Sequence, residues 1–386
     1  MPAIDLNIKY LSADVKVWRL YPGERRDLAN IFRDTETVFL DLPSLMLSPS
    51  SLQDRRFLNA QIARASEVRA WHRAQPEERP VTPRNVGDYL DTINSRSTGQ
   101  QYGNIKGLYF DARVGDLVVV PVDAGFESYL MIGEIADNFH QSDHHRIDLY
   151  GNDVVPFRRV RWITVDQRTR LLTPQLAGEL RGRRAIRLLA NELDNDRRDR
   201  IYAEVFELSY QNFIFKDLCE YIFDAPDYHQ RALDVFPGAQ LISAGIAYGN
   251  ALVDNSRAEL RGIATAKEMT VADASDSIFA EKGIEAFELD FASPGSYRVK
   301  ARGRTHVLLA VAALVACMAA GYTVGDMKAM QVTNSGPIPV DMTEATKRLA
   351  DQVVTEVGAD QINQMIQLHR RAREKVGFQL KARVQR

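Results

Sequence analysis

The residues that could do chemistry are few and scattered. Glu288 and Asp290 stand two apart, so on a strand they share one face, and Lys300 follows on the next alternating run. Two carboxylates and a lysine are what a metal-dependent nuclease needs to place a cation and a water. The residue two before Lys300 is Arg298, however, so the acid of a carboxylate-x-lysine pairing is absent. His140, Asp143, His144 and His145 crowd a polar stretch with side chains that suit zinc. A loop between strands makes hydrated histidines the plainer reading, and no metal is assigned. Phosphate loops of the GxxxxGK(S/T) or GxGxxG type, a GxSxG elbow and an HExxH helix are all missing. No catalytic residue and no cofactor is assigned, and the chain reads as a binding protein and not as an enzyme.

Groups suited to binding are more plentiful. Residues 181–200 carry seven arginines and four acids, a composition that fits a polyanion surface or an exposed helix with internal charge pairs. The terminal run HRRAREKVGFQLKARVQR is more one-sided. It could meet phosphate, lipid headgroups or a partner, or simply fray. A base-binding pocket needs aromatic walls and hydrogen-bond donors. The candidate walls are Trp18, Tyr21, Tyr109 and Trp162, and the candidate donors are Arg19, Arg158, Arg159 and Arg161. Arg159 and Arg161 alternate along a strand and so share a face. For the two tryptophans, filling a barrel core is the plainer reading.

The elements that must position these groups follow from periodicity. VKVWRL and TVFLDL read as strands around a short helical stretch at 24–33. Residues 51–75 read as a helix, PEERPVTPR as a loop, 85–93 as a short helix and NSRSTGQQYGN as a polar connection. Three strands follow in GLYFDARVGDLVVVPVD, ESYLMIGEIADNF and VPFRRVRWITV, separated by short turns, as in a small closed barrel. Thr173-Pro174 should cap an arginine-rich helix over 175–195. Residues 200–223 read as helical or mixed and 226–253 as a further helix. IEAFELDFASPGSYRVKARGR reads as a hairpin, and VTNSGPIPVDM as a linker. Asp341 and Glu344 fit a capping box that opens a last helix to about residue 376.

VWRLYPGE, YFDARVGDLVVVP with IGEI, and RRVRWI occur in an order and spacing that resembles the small barrel module of Mrr-type restriction proteins and other bacterial defence proteins. That module is similar to the EVE and PUA-like barrels. The resemblance covers about residues 14–165. It implies a reader of nucleotides, modified bases or nucleic-acid ends, with Trp18, Arg19, Tyr21, Tyr109, Arg159, Arg161 and Trp162 around its ligand. The polar insert at 46–104 departs from the pattern, and the nuclease domain of the restriction relatives is not found.

A length of 386 residues, 45% apolar and 26% charged, predicts a globular chain of two or three domains. The net charge of −2 argues against general coating of nucleic acid. Cys219 and Cys317 lack metal or disulfide spacing, and the first residues do not read as a secretory signal. Val307–Val324 is eighteen residues without a charge, the lower edge of a bilayer-spanning helix. Arg298, Lys300, Arg302 and Arg304 before it would favour a cytoplasmic N-terminal part, and the basic C-terminal run argues for the opposite orientation. The alternative is a helix buried among subunits. Both imply a homo-oligomer. The expected fold class is α+β: an N-terminal PUA/EVE-like β-barrel over 1–170, a mainly helical middle over 171–280, and at 281–386 a hairpin, the apolar helix and an amphipathic helix. The leading expectation is an antiphage-type sensor-effector in the bacterial inner membrane, its cytoplasmic reader binding a nucleotide or nucleic acid to gate an oligomeric channel. The alternative is a cytoplasmic DNA-recognition subunit.

Overall fold

The computed structural model describes residues 3–23, 27–79, 85–91, 96–124, 127–168, 172–181, 184–225, 284–290, 295–336, 338–377, 379–380 and 383–385, with the single positions 242, 245, 246 and 249. The chain divides into two compact units, one of residues 14–209 and one that joins 1–13 to 210–386.

The first strands, β1 (Ala3–Asp5) and β2 (Lys9–Leu11), belong to the discontinuous unit. The unit of residues 14–209 then runs through β3 (Val17–Leu20), α1 (Ala29–Thr35), β4 (Thr37–Val38), α2 (Arg55–Arg73) and α3 (Arg96–Ile105). It continues with β5 (Leu117–Ala124), β6 (Glu127–Ile135), β7 (His144–Arg146), β8 (Val154–Pro156) and β9 (Arg158–Arg168). It closes with α4 (Pro174–Leu180), β10 (Ile186–Leu188) and α5 (Asn195–Ser209).

Six of these strands form one sheet in the order β10-β3-β5-β6-β9-β4. β3 and β5 are parallel, and the other neighbours are antiparallel. Val118, Val120, Met131 and Val160 point from its central strands into the core, where Leu58, Ile62 and Ala65 of α2 and Leu108 join them. The sheet is open, with β10 and β4 at its edges, where the sequence suggested a closed barrel. Two local readings also change. NSRSTGQQYGN, expected as a connection, contains most of α3. The arginine-rich helix is capped as expected by Thr173, whose hydroxyl accepts from the Leu176 amide, but it stops at Leu180. Beyond it Ile186–Leu188 pairs with β3, since an apolar edge partner outweighs a weak helical preference.

The discontinuous unit continues with β11 (Phe213–Phe215), β12 (Leu218–Ala225), β13 (Ile284–Asp290) and β14 (Gly295–Arg302). After them come α6 (Thr305–Ala319), α7 (Val324–Lys328), β15 (Gln331–Thr333), α8 (Val340–Val357), α9 (Ala359–Val376), β16 (Gln379–Leu380) and β17 (Arg383–Gln385). Its main sheet has the order β13-β14-β12-β11-β2, with β16 also on β12. A second sheet sets β1 between β15 and β17. The basic C-terminal run therefore ends in a paired strand and not a frayed tail. The helix at 226–253 lies outside the described residues except at the four single positions.

The apolar segment is the centre of this unit. Every residue from Val307 to Met318 is buried, among Tyr221, Phe223 and Val299 of the sheet and Leu349, Val353, Ile362 and Met365 of α8 and α9. Gly245 and Gly249 lie so close that an added Cβ would meet Val311 at 2.9 Å and Val307 at 2.6 Å. A helix apolar on all sides is thus covered by its own chain. The expectation of a membrane-spanning helix is corrected: among the described residues, no helix is long and apolar enough to cross a membrane. α6 has fifteen residues, about 22 Å at 1.5 Å per residue, against a hydrocarbon layer of about 30 Å. It ends where Gly321 turns with φ +77° and Thr323 caps α7, so Tyr322–Val324 do not extend it. The capping box lies here, between Thr323 and Asp326, and not at 341–344, where Pro339 precedes α8. The expected single last helix is two, parted at Gly358.

Candidate functional site

The residues singled out from sequence separate into fasteners and surface groups. Asp116 is buried, and its carboxylate accepts from Trp18 Nε1 at 3.0 Å, the Lys16 amide at 2.9 Å and the Arg113 amide at 2.9 Å. Trp18 is therefore pinned inside the unit. The Arg19 guanidinium is buried as well and donates to the carbonyls of Glu179 at 3.2 Å and Arg184 at 3.1 Å. Tyr109 donates to the Pro156 carbonyl at 2.7 Å and accepts from the Leu40 amide. Arg158 gathers three carbonyls, of Leu108, Ala112 and Asp137, at 2.7–3.0 Å. Half-buried Trp162 donates to the Phe32 carbonyl at 3.0 Å and lies across Gly133, where a Cβ would meet its ring at 2.8 Å and Val160 at 2.3 Å. Half-buried Tyr21 binds the Ala185 carbonyl through its backbone amide.

The three motifs behind the family resemblance thus have a common physical content. The Asp of GDLVVVP anchors Trp18 of VWRL, the Gly of IGEI makes room for the Trp of RRVRW, and the first Arg of RRVRW closes the loop carbonyls beneath. These are bonds that hold the unit together. Trp18, Arg19 and Tyr109 are thereby held inside the unit.

Arg159 and Arg161 are different. They project from the outer face of β9 with 64% and 69% of their side chains exposed, beside Asp137 at 3.4 Å and Glu134 at 2.8 Å. Exposed pairs of this kind are screened and cost little to exchange for another anion.

Sequence reasoning missed a polar cluster at the C-terminal end of α2. Arg73 bonds Asp27 at 2.7 Å and Asp41 at 2.9 Å, and Tyr150 donates to Asp41. Next to it His72 Nε2 lies 2.8 Å from Asp153, which also accepts from Ser44. Burial raises the Asp41 carboxyl above the usual range, against the pull of Tyr150 and Arg73. Burial also acts upward on Asp153, but its bonds to Ser44 and His72 prevail and hold it low. Trp71 packs edge-on to His72, and the exposed Arg79 guanidinium sits 4.3 Å from the Trp71 ring centre. The signal available in sequence was the arginine and aromatic content of α2.

Of the nuclease-like trio, Glu288 and Lys300 are brought together in the other unit, with an acid that the sequence did not reveal. Glu220 on β12 stands opposite Lys300 on β14, and Arg298 stands opposite Glu288 on β13. Lys300 Nζ is 3.5 Å from Glu288 and 3.9 Å from Glu220, and Arg298 is 3.4 Å from Glu220 and 3.8 Å from Glu288. Asp290 ends β13 opposite Ser296. Two cations against two carboxylates leave the set neutral, which suits a structural charge lattice better than a divalent cation. The histidine stretch is partly strand: His145 stacks on Phe157 at 3.9 Å, and burial lowers its pKa. Among the described residues no three His, Cys, Asp or Glu are placed to hold a metal. The chain matches no family model, no curated protein and no solved structure.

Proposed function

We propose that the unit of residues 14–209 is a non-enzymatic recognition module for a nucleic-acid or nucleotide ligand, serving an antiphage-type defence system. The observation that carries this reading is the pair of guanidinium groups of Arg159 and Arg161, one strand repeat apart on an exposed face. Arginine on such a face can turn from a partly buried carboxylate to phosphate and gain a bidentate contact. The motif resemblance supports the ligand class and the defence context, by analogy alone. The channel form of the sensor-effector rested on a spanning helix and is set aside with it. Assembly into a homo-oligomer is not called on either, because α6 finds its cover within one chain.

The test is binding of full-length protein to labelled DNA and RNA over a salt series. Affinity should fall with salt, and removing both charges by Arg159→Ala and Arg161→Ala should weaken binding and lower the salt slope by about one per lost phosphate contact. No binding of either nucleic acid at about 50 mM salt would end the proposal.

A further inference from the structure

Helix α2 carries a partly exposed pattern of aromatic and guanidinium groups. Phe57, Arg64 and Trp71 are spaced seven residues apart. Seven residues are two turns less about 20°, so the three side chains form one stripe, about 10.5 Å between neighbours. Phe57 is one of the few large apolar side chains left exposed, at 44%. Trp71 is half-buried, and among the described residues its indole N–H donates no hydrogen bond, whereas Trp18 and Trp162 both do. Among the described residues its ring meets His72 and the exposed Arg79 guanidinium.

The charge carried by α2 itself is mostly positive, with Asp27, Asp41, Asp91 and Asp153 beside some of its arginines. α2 holds five arginines and one glutamate. Arg69 and Arg73 both act on Asp41, and Arg64 acts on Asp153. At the other end of the helix Arg55 lies 5.1 Å from the ring centre of Tyr102 on α3. Aromatic faces alternating with guanidinium groups along a straight element are the chemistry of a single-strand platform: bases stack on the rings while the cations follow the backbone. A duplex keeps its base faces inside and offers such a stripe only phosphate. A planar base can enter over Trp71 because its present cover, Arg79, is exposed and held by a cation–π contact at a solvated site.

We propose that the α2 stripe Phe57–Arg64–Trp71, with Arg79, binds unpaired bases of a single-stranded nucleic acid. This rests on the reading of residues 14–209 as a nucleic-acid module, and it places the base-contacting surface on the 46–104 insert, away from Arg159 and Arg161. Base stacking on Trp71 and Phe57 supplies the preference for single strands. The arginine pair on β9 supplies charge that a duplex can also use.

The experiment titrates full-length protein into fluorescein-labelled oligo-dT of about twelve nucleotides and into a duplex of equal length, followed by anisotropy. Trp71→Leu and Phe57→Ser should each weaken the single-strand complex about ten-fold, the size of one lost base stack, and leave the duplex complex unchanged. Trp71→Phe keeps an aromatic face and should restore most of the affinity. It also guards against misfolding, as do matched far-UV spectra and melting curves. If Trp71→Leu and Phe57→Ser bind oligo-dT like the unaltered protein while the Arg159 and Arg161 substitutions weaken it, this inference is overturned and the recognition reading stands. If single strand and duplex lose affinity equally in the α2 variants, the stripe is not a base platform. If neither nucleic acid binds at low salt, both proposals fall.

Discussion

Both units set acids against cations on neighbouring strands, and the two arrangements have opposite consequences. On β6 and β9, Glu134 stands opposite Arg161, with Asp137 and Arg159 beside them, and both arginines are mostly in water. On β12, β14 and β13, Glu220 and Lys300, then Arg298 and Glu288, fill a two-by-two lattice in which Glu220 is 0% exposed. The chemistry of the pairs is the same. Water decides the difference. The exposed pairs add well under about 1 kcal/mol each and leave their cations free to meet another anion. The buried carboxylate has lost its hydration and depends on the two cations that face it, so its removal strands them.

The largest effect should come from breaking the lattice. Glu220→Ala is expected to destabilise its unit by about 3–5 kcal/mol, seen as a large drop in the urea midpoint. Replacing Glu220, Arg298 and Lys300 together by Leu should recover most of that loss, because no buried charge is left and Glu288, 52% exposed, keeps its water. A triple variant as unstable as the single one would show that packing, and not charge pairing, sets the cost.

A second buried titratable group in the same unit sharpens the comparison. His369 on α9 is buried, and burial, with a smaller contribution from Arg373, lowers its pKa to about 4 from the usual 6.5. The unfolded chain therefore takes up this proton first as the pH falls. The contribution of neutral His369 is full above pH 6.5 and is lost progressively between about 6.5 and 4. Melting followed over that range should show the loss in the unaltered protein and a flatter profile in His369→Gln.

The smallest effect should be Arg161→Ala, which is expected to change stability by less than about 0.5 kcal/mol while weakening the nucleic-acid complex. A stability loss as large as that of Glu220→Ala would mean that exposure does not separate the two sets of pairs.

Some of this was legible in the residues themselves. The β13–β14 pair, the strand character of LVVVPV, and the helix over most of 51–75 follow from alternation, β-branching and a run with helical spacing. The rest depended on contacts far apart in sequence. Ile186–Leu188 is a strand because β3 offers it an edge, and residues 3–11 complete sheets whose other strands begin two hundred residues later. Glu220 carried no signal because its partners, Arg298 and Lys300, lie on the neighbouring strand about eighty residues on. Trp71 was visible as an aromatic on an arginine-rich helix, but Arg79 reaches it, and Tyr150 reaches His72, only when the loops close.

By itself the sequence determined that this is an α+β chain with a wholly apolar helix and with arginine and aromatic groups in quantity, because those properties are local and periodic. Tertiary structure alone decided whether the apolar helix faces lipid or protein, which tryptophans are locked by a hydrogen bond, and which arginines keep their water. The reason is the same in each case. The free energy of an apolar surface or a charge is set by what covers it, and the cover comes from distant parts of the chain.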